Sequence, residues 1–389
     1  MVYDPLCRCN RTSTLELVLG IKPSGTSHLL LTAKEMDELA YRRIRNLRCQ
    51  DIPTRVGDYE SLSPIVFAYA AALQSKLDAL TPKGPNPARD TSENKRFDAS
   101  VRQESVKRGH FENNRLFYRV LQNEVDGTKY GVRDIAWTSS VRVFSFAYNL
   151  WSRDERSRLD REQRPRVLDI GWCEAQTPGL GEEMRVSRHI VLENNQRLSN
   201  PDKETYEYGE TETLNPQKVE EEIQHIFRQY TQPTSTPVVL LVYNEQTALN
   251  VLRSLNVDVS AWNSGTKDLL RPAEAAPRRL APNDPRRLPD TRDRRDRPTS
   301  PTRRARSASP HRGGPSPSRR ASPPPRRLYA PVYVIDVRAM GTALLETTDG
   351  AGSVPALCAR LKLYNPSGWC AGNECRCVAL SYVSLRPVS

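Results

Sequence analysis

Two spacings of apolar residues alternate along this chain, and they predict where it folds. Met36, Leu39, Ala40, Ile44 and Leu47 recur every three to four residues. They follow Thr32-Ala-Lys-Glu35, in which the Thr and Glu side chains can each cap the other's free N–H, so a helix is predicted there. Ser63 and Pro64 suit an N-cap and a first turn and predict a second helix through Leu77. Residues 1–80 are therefore expected to form a small helical region. Residues 81–136 read as a linker, opened by the Pro-rich run at 81–87, and a helix at 111–125 with Phe111, Leu116, Phe117, Val120 and Leu121 on one side.

From about residue 137 the period becomes two. Val141–Trp151 alternates as a strand does, and the short apolar runs at 166–172 and 187–193 predict two more. Val219, Ile223, Ile226 and Phe227 predict a helix through Tyr230. Pro237–Tyr243 is a continuous apolar run, as in a strand buried on both faces. A helix at 247–255, a strand at 330–337 and a helix at 354–361 complete an α/β pattern, a mixed sheet flanked by helices.

Composition adds one large feature. Of 389 residues 37% are hydrophobic, and the net charge is +12. Residues 271–328 hold 17 Arg, no Lys and five acids, so this tract carries the whole excess and the rest of the chain is formally neutral. A uniformly basic coat protein is excluded. The tract also holds 13 Pro and little apolar content, so residues 263–328 are predicted to be a disordered Arg/Ser/Pro-rich insertion between the two parts of one domain, 137–262 and 329–389. Arg forks match phosphate and stack on bases. Arg294, Arg295, Arg303, Arg304, Arg306, Arg319 and Arg320 are the expected nucleic-acid contacts. Ser300, Ser309, Ser316 and Ser322 each precede Pro and are candidate phosphorylation sites that would cancel much of this charge.

The longest apolar runs, Ile65–Leu73 and Val238–Tyr243, fall short of the roughly 20 residues that span a bilayer, and no membrane partner is expected. The first residues lack the pattern of a signal peptide. Eight Cys in a chain of this length do not form a disulfide framework, which fits the nucleus or cytoplasm. Cys7/Cys9 and Cys370, Cys375 and Cys377 do not have the spacing of a zinc site. His189 and His225, on predicted core elements, read as satisfied structural histidines, and Gly179-Leu-Gly181 as a turn.

An ordered set of segments goes further: Phe146-Ala-Tyr-Asn-Leu-Trp151, Leu168-Asp-Ile-Gly-Trp172, His189-Ile-Val-Leu-Glu193 and Tyr206-Glu-Tyr-Gly-Glu-Thr-Glu212, then Leu240-Leu-Val-Tyr-Asn-Glu245, Tyr333-Val-Ile-Asp-Val337 and Gly368-Trp-Cys-Ala-Gly-Asn-Glu374. Over about 137–378 this order resembles the DnaQ-type (DEDD) 3′–5′ exonucleases. The closer resemblance is to a fungal exonuclease-like family related to the argonaute-interacting exonuclease of RNA quelling and to a yeast mRNA-export suppressor. The resemblance implies a ribonuclease H-like fold in which four carboxylates hold two Mg²⁺ or Mn²⁺ ions at the scissile phosphate.

The positions that the resemblance assigns to those groups are largely without charge here. Asp-x-Glu falls on Ala147 and Asn149, the second acid on the window around Ala248, and His-x-x-x-x-Asp on Trp369 and Glu374. Glu374 alone keeps a carboxylate, a poor metal site by itself. No catalytic residue and no cofactor are expected, with Mg²⁺ or Mn²⁺ only if the domain is active. The implied function is nucleic-acid binding, of RNA in particular, by a degenerate exonuclease-like adaptor that also meets protein partners of RNA metabolism. One alternative is an exonuclease using displaced acids among Asp154, Glu155, Asp169, Glu174 and Glu245. The other is a protein-interaction scaffold with a phosphorylatable linker. The family's last helix is long, whereas 378–389 is short and β-branched, so the second part is expected to be truncated.

Overall fold

The computed structural model of the chain describes residues 14–32, 34–37, 56–80, 94, 102–177, 180, 184–228, 236–271, 331–345, 352–363 and 368–385. The Arg contacts at 294–320 and the Ser-Pro pairs lie outside these residues, as do Cys7, Cys9 and most of the Gly179–Gly181 segment.

The N-terminal region is a sheet where helices were expected. Strands β1 (Leu15–Ile21), β2 (Ser27–Leu30) and β3 (Ser61–Phe67) form an antiparallel sheet in the order β2-β1-β3. Ser63-Pro64 reads locally as a helix start, but β3 is an edge strand, where a residue lacking an N–H is tolerated. Its Leu62, Ile65, Val66 and Phe67 are strand formers. Helix α1 (Ala70–Leu80) begins only afterwards. The Thr32/Glu35 capping box does form: Thr32 N–H donates to Glu35 Oε2 at 2.8 Å, and Glu35 N–H to Thr32 Oγ1 at 3.3 Å.

Helix α2 (Arg102–Leu121) packs on β3 and on the main sheet. Its Arg115 donates to Glu112 and to the Pro64 carbonyl, while Phe117 stacks on buried Trp137 with centroids 5.3 Å apart.

The main sheet has seven strands: β4 (Arg142–Leu150), β5 (Val167–Ala175), β6 (Met184–Leu192), β7 (Thr211–Leu214), β8 (Val238–Val242), β9 (Asn263–Ser264) and β10 (Tyr333–Asp336). Their order is β7-β6-β5-β4-β8-β10-β9. β5 runs antiparallel to both neighbours, while β4, β8, β10 and β9 are mutually parallel. The chain supplies helices α3 (Arg158–Gln163), α4 (Pro216–Arg228), α5 (Glu245–Ser254), α6 (Lys267–Leu270), α7 (Val337–Leu345), α8 (Val354–Arg360) and α9 (Ala371–Ser384). α4 and α5 bury Val219, Ile223, Ala248, Val251 and Leu252 against one face, and α2, α7, α8 and α9 cover the other. The result is an α/β fold, compatible with a ribonuclease H-like one.

Three boundaries differ from expectation. The helix read at 111–125 spans Arg102–Leu121, so it begins within the stretch read as linker. Residues 263–271 belong to the fold: Gly265 N–H bonds the Val334 carbonyl, and Leu269 and Leu270 are buried. Arg271, counted in the Arg tract, donates to the Glu60 carbonyl and Asn113 Oδ1, both at 2.6 Å. The C-terminal segment is helical as far as Ser384. Residues 378–384 continue α9, and buried Tyr382 donates its hydroxyl to the Asn114 carbonyl at 2.9 Å. A β-branched segment makes a helix here because it is packed along its length.

Candidate functional site

The register of β4 and β5 sets one face of the sheet. Ala147 lies opposite Gly171, and Asn149 opposite Asp169; Gly171 in turn faces His189 on β6. Directly paired residues share a face. Over that face lies the start of α9, with Ala371 and Cys375 against Ala147 and Cys173. The approach is close because Gly171 has no side chain. A Cβ there would sit 2.4 Å from the carbonyl carbon and oxygen of Ala371.

Glu374 is buried beneath this helix, 7% exposed. Burial, then the charges of Asp169, Cys358 and Glu204, push its carboxyl up to about 8, offset in part by the Asn149 amide. Of the positions the resemblance singles out, Ala147, Asn149 and Glu374 therefore come together. The other two do not join them. Ala248 is on the opposite face, in the core with Phe146. Trp369 donates its indole N–H to the Asn200 carbonyl at 3.1 Å and lies under Lys203.

Two Mg²⁺ ions do not fit these residues. The positions offer one carboxyl group against two strongly charged ions that need several oxygen ligands. Of the displaced acids, Asp169 lies close enough to raise the Glu374 carboxyl, whereas Asp154, Glu174 and Glu245 are engaged elsewhere. Asp154 is held by Arg156 at 2.6 Å, which keeps its carboxyl down to about 2. Glu174 is paired with Arg142 at 2.8 Å, five residues along β5 from Asp169, about 16 Å away in an extended strand. Glu245 accepts from Ser264 at 2.8 Å. It lines a cavity of about 150 Å³ with Lys107, His110 and Asp336. Asp336 is spent on structure, taking the backbone N–H groups of Glu245 and Ala339 and so tying α5 and α7 to the sheet.

One group was not foreseen. His189 Nε2 lies 2.7 Å from Asp169 Oδ2 and 3.7 Å from Cys370 Sγ, with Nδ1 2.9 Å from Thr211 Oγ1. All three residues are buried. Among the described residues they are the one cluster of three or more Cys, His, Asp or Glu whose donor atoms lie within 4.8 Å of one another, and they could hold a metal ion. The expectation of no cofactor took each singly. His189 is satisfied, as expected, whereas His225 is exposed on α4. A Cys-His-Asp nucleophile is not the reading, because Asp169 and Cys370 meet the same ring nitrogen and burial pushes the Cys370 thiol up to about 11.

A second surface carries cationic and aromatic groups. At the end of β4 a cleft of about 400 Å³ is lined by Trp151, Arg158, Arg161, Arg166 and Asn250. The Arg166 guanidinium lies 5.3 Å from the Trp151 ring centroid. Glu162 takes Arg158 at 2.6 Å. No spacing in the sequence announces this cleft.

No helix among the described residues is long and apolar enough to cross a membrane. No family model matches the chain, and no curated protein matches it.

Proposed function

We propose that this chain binds nucleic acid, RNA in particular, through a nuclease-like α/β fold that does not cleave it. One contrast carries the reading: the chain places its whole positive excess in the Arg tract, while the positions that the exonuclease resemblance assigns to metal-binding acids keep a single carboxylate, Glu374. Ala147, Asn149 and a buried Glu374 are the groups present. The fungal exonuclease-like segments, the mixed sheet and the Trp151–Arg166 cleft support the same reading. A base stacked on Trp151 beside Arg161 and Arg166 would use the contacts that single strands use elsewhere.

The test is anisotropy of a labelled single-stranded RNA with the full chain and with a 273–327 deletion, over a range of salt. Binding to the full chain weakens steeply with salt. If six phosphates are engaged, the log–log slope is about −4. The deletion abolishes most of the affinity. Salt-independent binding, or equal binding by the deletion, rejects the proposal in favour of a protein scaffold. Shortening of the RNA in Mg²⁺ or Mn²⁺ that is lost in Glu374→Ala rejects the non-cleaving half.

A further inference from the structure

We propose that Asp169, His189 and Cys370 form a binding site for one transition-metal ion, with Zn²⁺ the best fit. The three side chains come from β5, β6 and the residue that precedes α9, and they converge on one point.

Two glycines make the convergence possible. Gly171 lets the start of α9 descend onto β5, and a Cβ on Gly372 would meet Tyr206 at 2.6 Å and the His189 side chain at 2.7 Å. Cys370 thus sits over His189, held by the backbone on either side.

The hydrogen bonds fit a metal ligand set. His189 has Thr211 on Nδ1 and Asp169 on Nε2, two oxygen partners on one ring. Without a metal, Nε2–H can donate to Asp169 while Nδ1 accepts from the Thr211 hydroxyl; in the other tautomer Nδ1–H donates to Thr211, the usual outer hydrogen bond of a ligating histidine, and the Nε2 lone pair is free for a cation held with Asp169. Asp169 Oδ2 also accepts the Ala371 N–H at 3.0 Å, while Oδ1 is buried with no hydrogen-bond partner. A carboxylate with one unused oxygen beside an imidazole and a thiol is poised for coordination.

Distances discriminate further. Zn–N of about 2.0 Å and Zn–S of about 2.3 Å at a tetrahedral angle put nitrogen and sulfur about 3.6 Å apart. The observed 3.7 Å needs almost no adjustment. The nitrogen–oxygen separation of 2.7 Å must open to about 3.4 Å, which a turn of the Asp169 carboxylate supplies. A nitrogen, an oxygen and a thiolate suit Zn²⁺ or Co²⁺ and not Mg²⁺. Binding displaces the thiol proton of Cys370 and, where present, the proton on Nε2; both leave to solvent. Three protein ligands leave one position for water or another donor.

The test loads the full chain with Co²⁺ during refolding, then measures stoichiometry and the near-ultraviolet cobalt–thiolate band. One Co²⁺ per chain with that band is expected, displaced by equimolar Zn²⁺. Cys370→Ser should abolish the band and weaken Zn²⁺ binding at least about 100-fold. Cys375→Ser, at a buried thiol outside the set, should keep both. Circular dichroism of each variant separates loss of metal from loss of fold. Absence of bound metal in the folded wild-type chain, a bound Co²⁺ without the thiolate band, or a band lost in Cys375→Ser but kept in Cys370→Ser overturns the assignment.

Discussion

Replacing Glu374 by Gln removes a titrating group from beneath α9 and leaves its shape nearly unchanged. In the folded chain burial and the neighbouring negative charges hold this carboxyl at about 8, against an ordinary 4.5. Below pH 4.5 folded and unfolded chains both keep the proton, so stability is untouched. Between 4.5 and 8 the unfolded chain releases a proton that the folded chain retains, and unfolding gains ground as pH rises. Above 8 both states have lost it and the effect is complete. At about 1.4 kcal/mol per pH unit this interval is worth about 5 kcal/mol as an upper bound. Residual structure in the unfolded chain reduces it. Urea unfolding of wild type and Glu374→Gln at pH 5, 6.5 and 8, with a chelator present, isolates the effect, since every other titrating group is common to both. The two should be nearly equal at pH 5, and the variant more stable by at least about 2 kcal/mol at pH 8. Parallel stability profiles across this range, or a variant that weakens as pH rises, would show that Glu374 is ionised in the fold.

Gly171→Ala sets a methyl group against the Ala371 backbone, which cannot move aside as a side chain can. A cost of about 2–3 kcal/mol, seen as a melting temperature at least about 5 °C lower, is expected. Gly352→Ala, with nothing within 4 Å, serves as the control, and an equal melting temperature in both variants would refute the close approach. Arg271→Ala takes the donor from Asn113 Oδ1 and one of two donors from the Glu60 carbonyl, which keeps the Asn113 amide, at about 1–2 kcal/mol in urea unfolding. Deletion of 273–327 leaves the urea midpoint within error of wild type; a large loss on that deletion would mean that the tract is part of the folded core.

How far the fold was legible depends on whether local pattern and tertiary position agree. In β4, β5, β6, β8 and β10 they do: a period of two, or the unbroken Val238–Val242 run, has one good solution in a sheet covered on both faces. At Ser63-Pro64 they part. That dipeptide carries a helix-start signal, and only the sheet order, which makes β3 an edge, reveals why a proline can be a strand residue there. Thr266–Arg271 failed for a similar reason. Its two leucines precede a long polar tract whose composition hides them, yet Leu269 and Leu270 are anchored in the core. In 378–384, β-branched residues spoke for a strand or a stop, and burial of Val378 and Tyr382 against the sheet decided for a helix.

The site divides in the same way. That Ala147 and Asn149 share one face could be read directly from strand spacing; that acids belong there is what the exonuclease resemblance implies. The Asp169, His189 and Cys370 cluster could not, because Cys370 is 181 residues from His189 and no spacing rule links three separate elements. One signal was nevertheless present. Asp169 stands inside Val167–Trp172, a strand otherwise apolar, and His189 inside the next. Burying a carboxylate without a partner costs several kcal/mol, so an acid in such a strand requires a donor or a cation on the same face. The antiparallel pairing of β5 with β6 then leaves His189, diagonal to Asp169, as a histidine within reach. The polar chemistry of this sheet therefore lies one strand away from where the exonuclease resemblance implies it. If that cluster takes up an ion, its nitrogen and sulfur donors favour a different one from the magnesium pair that the resemblance implies.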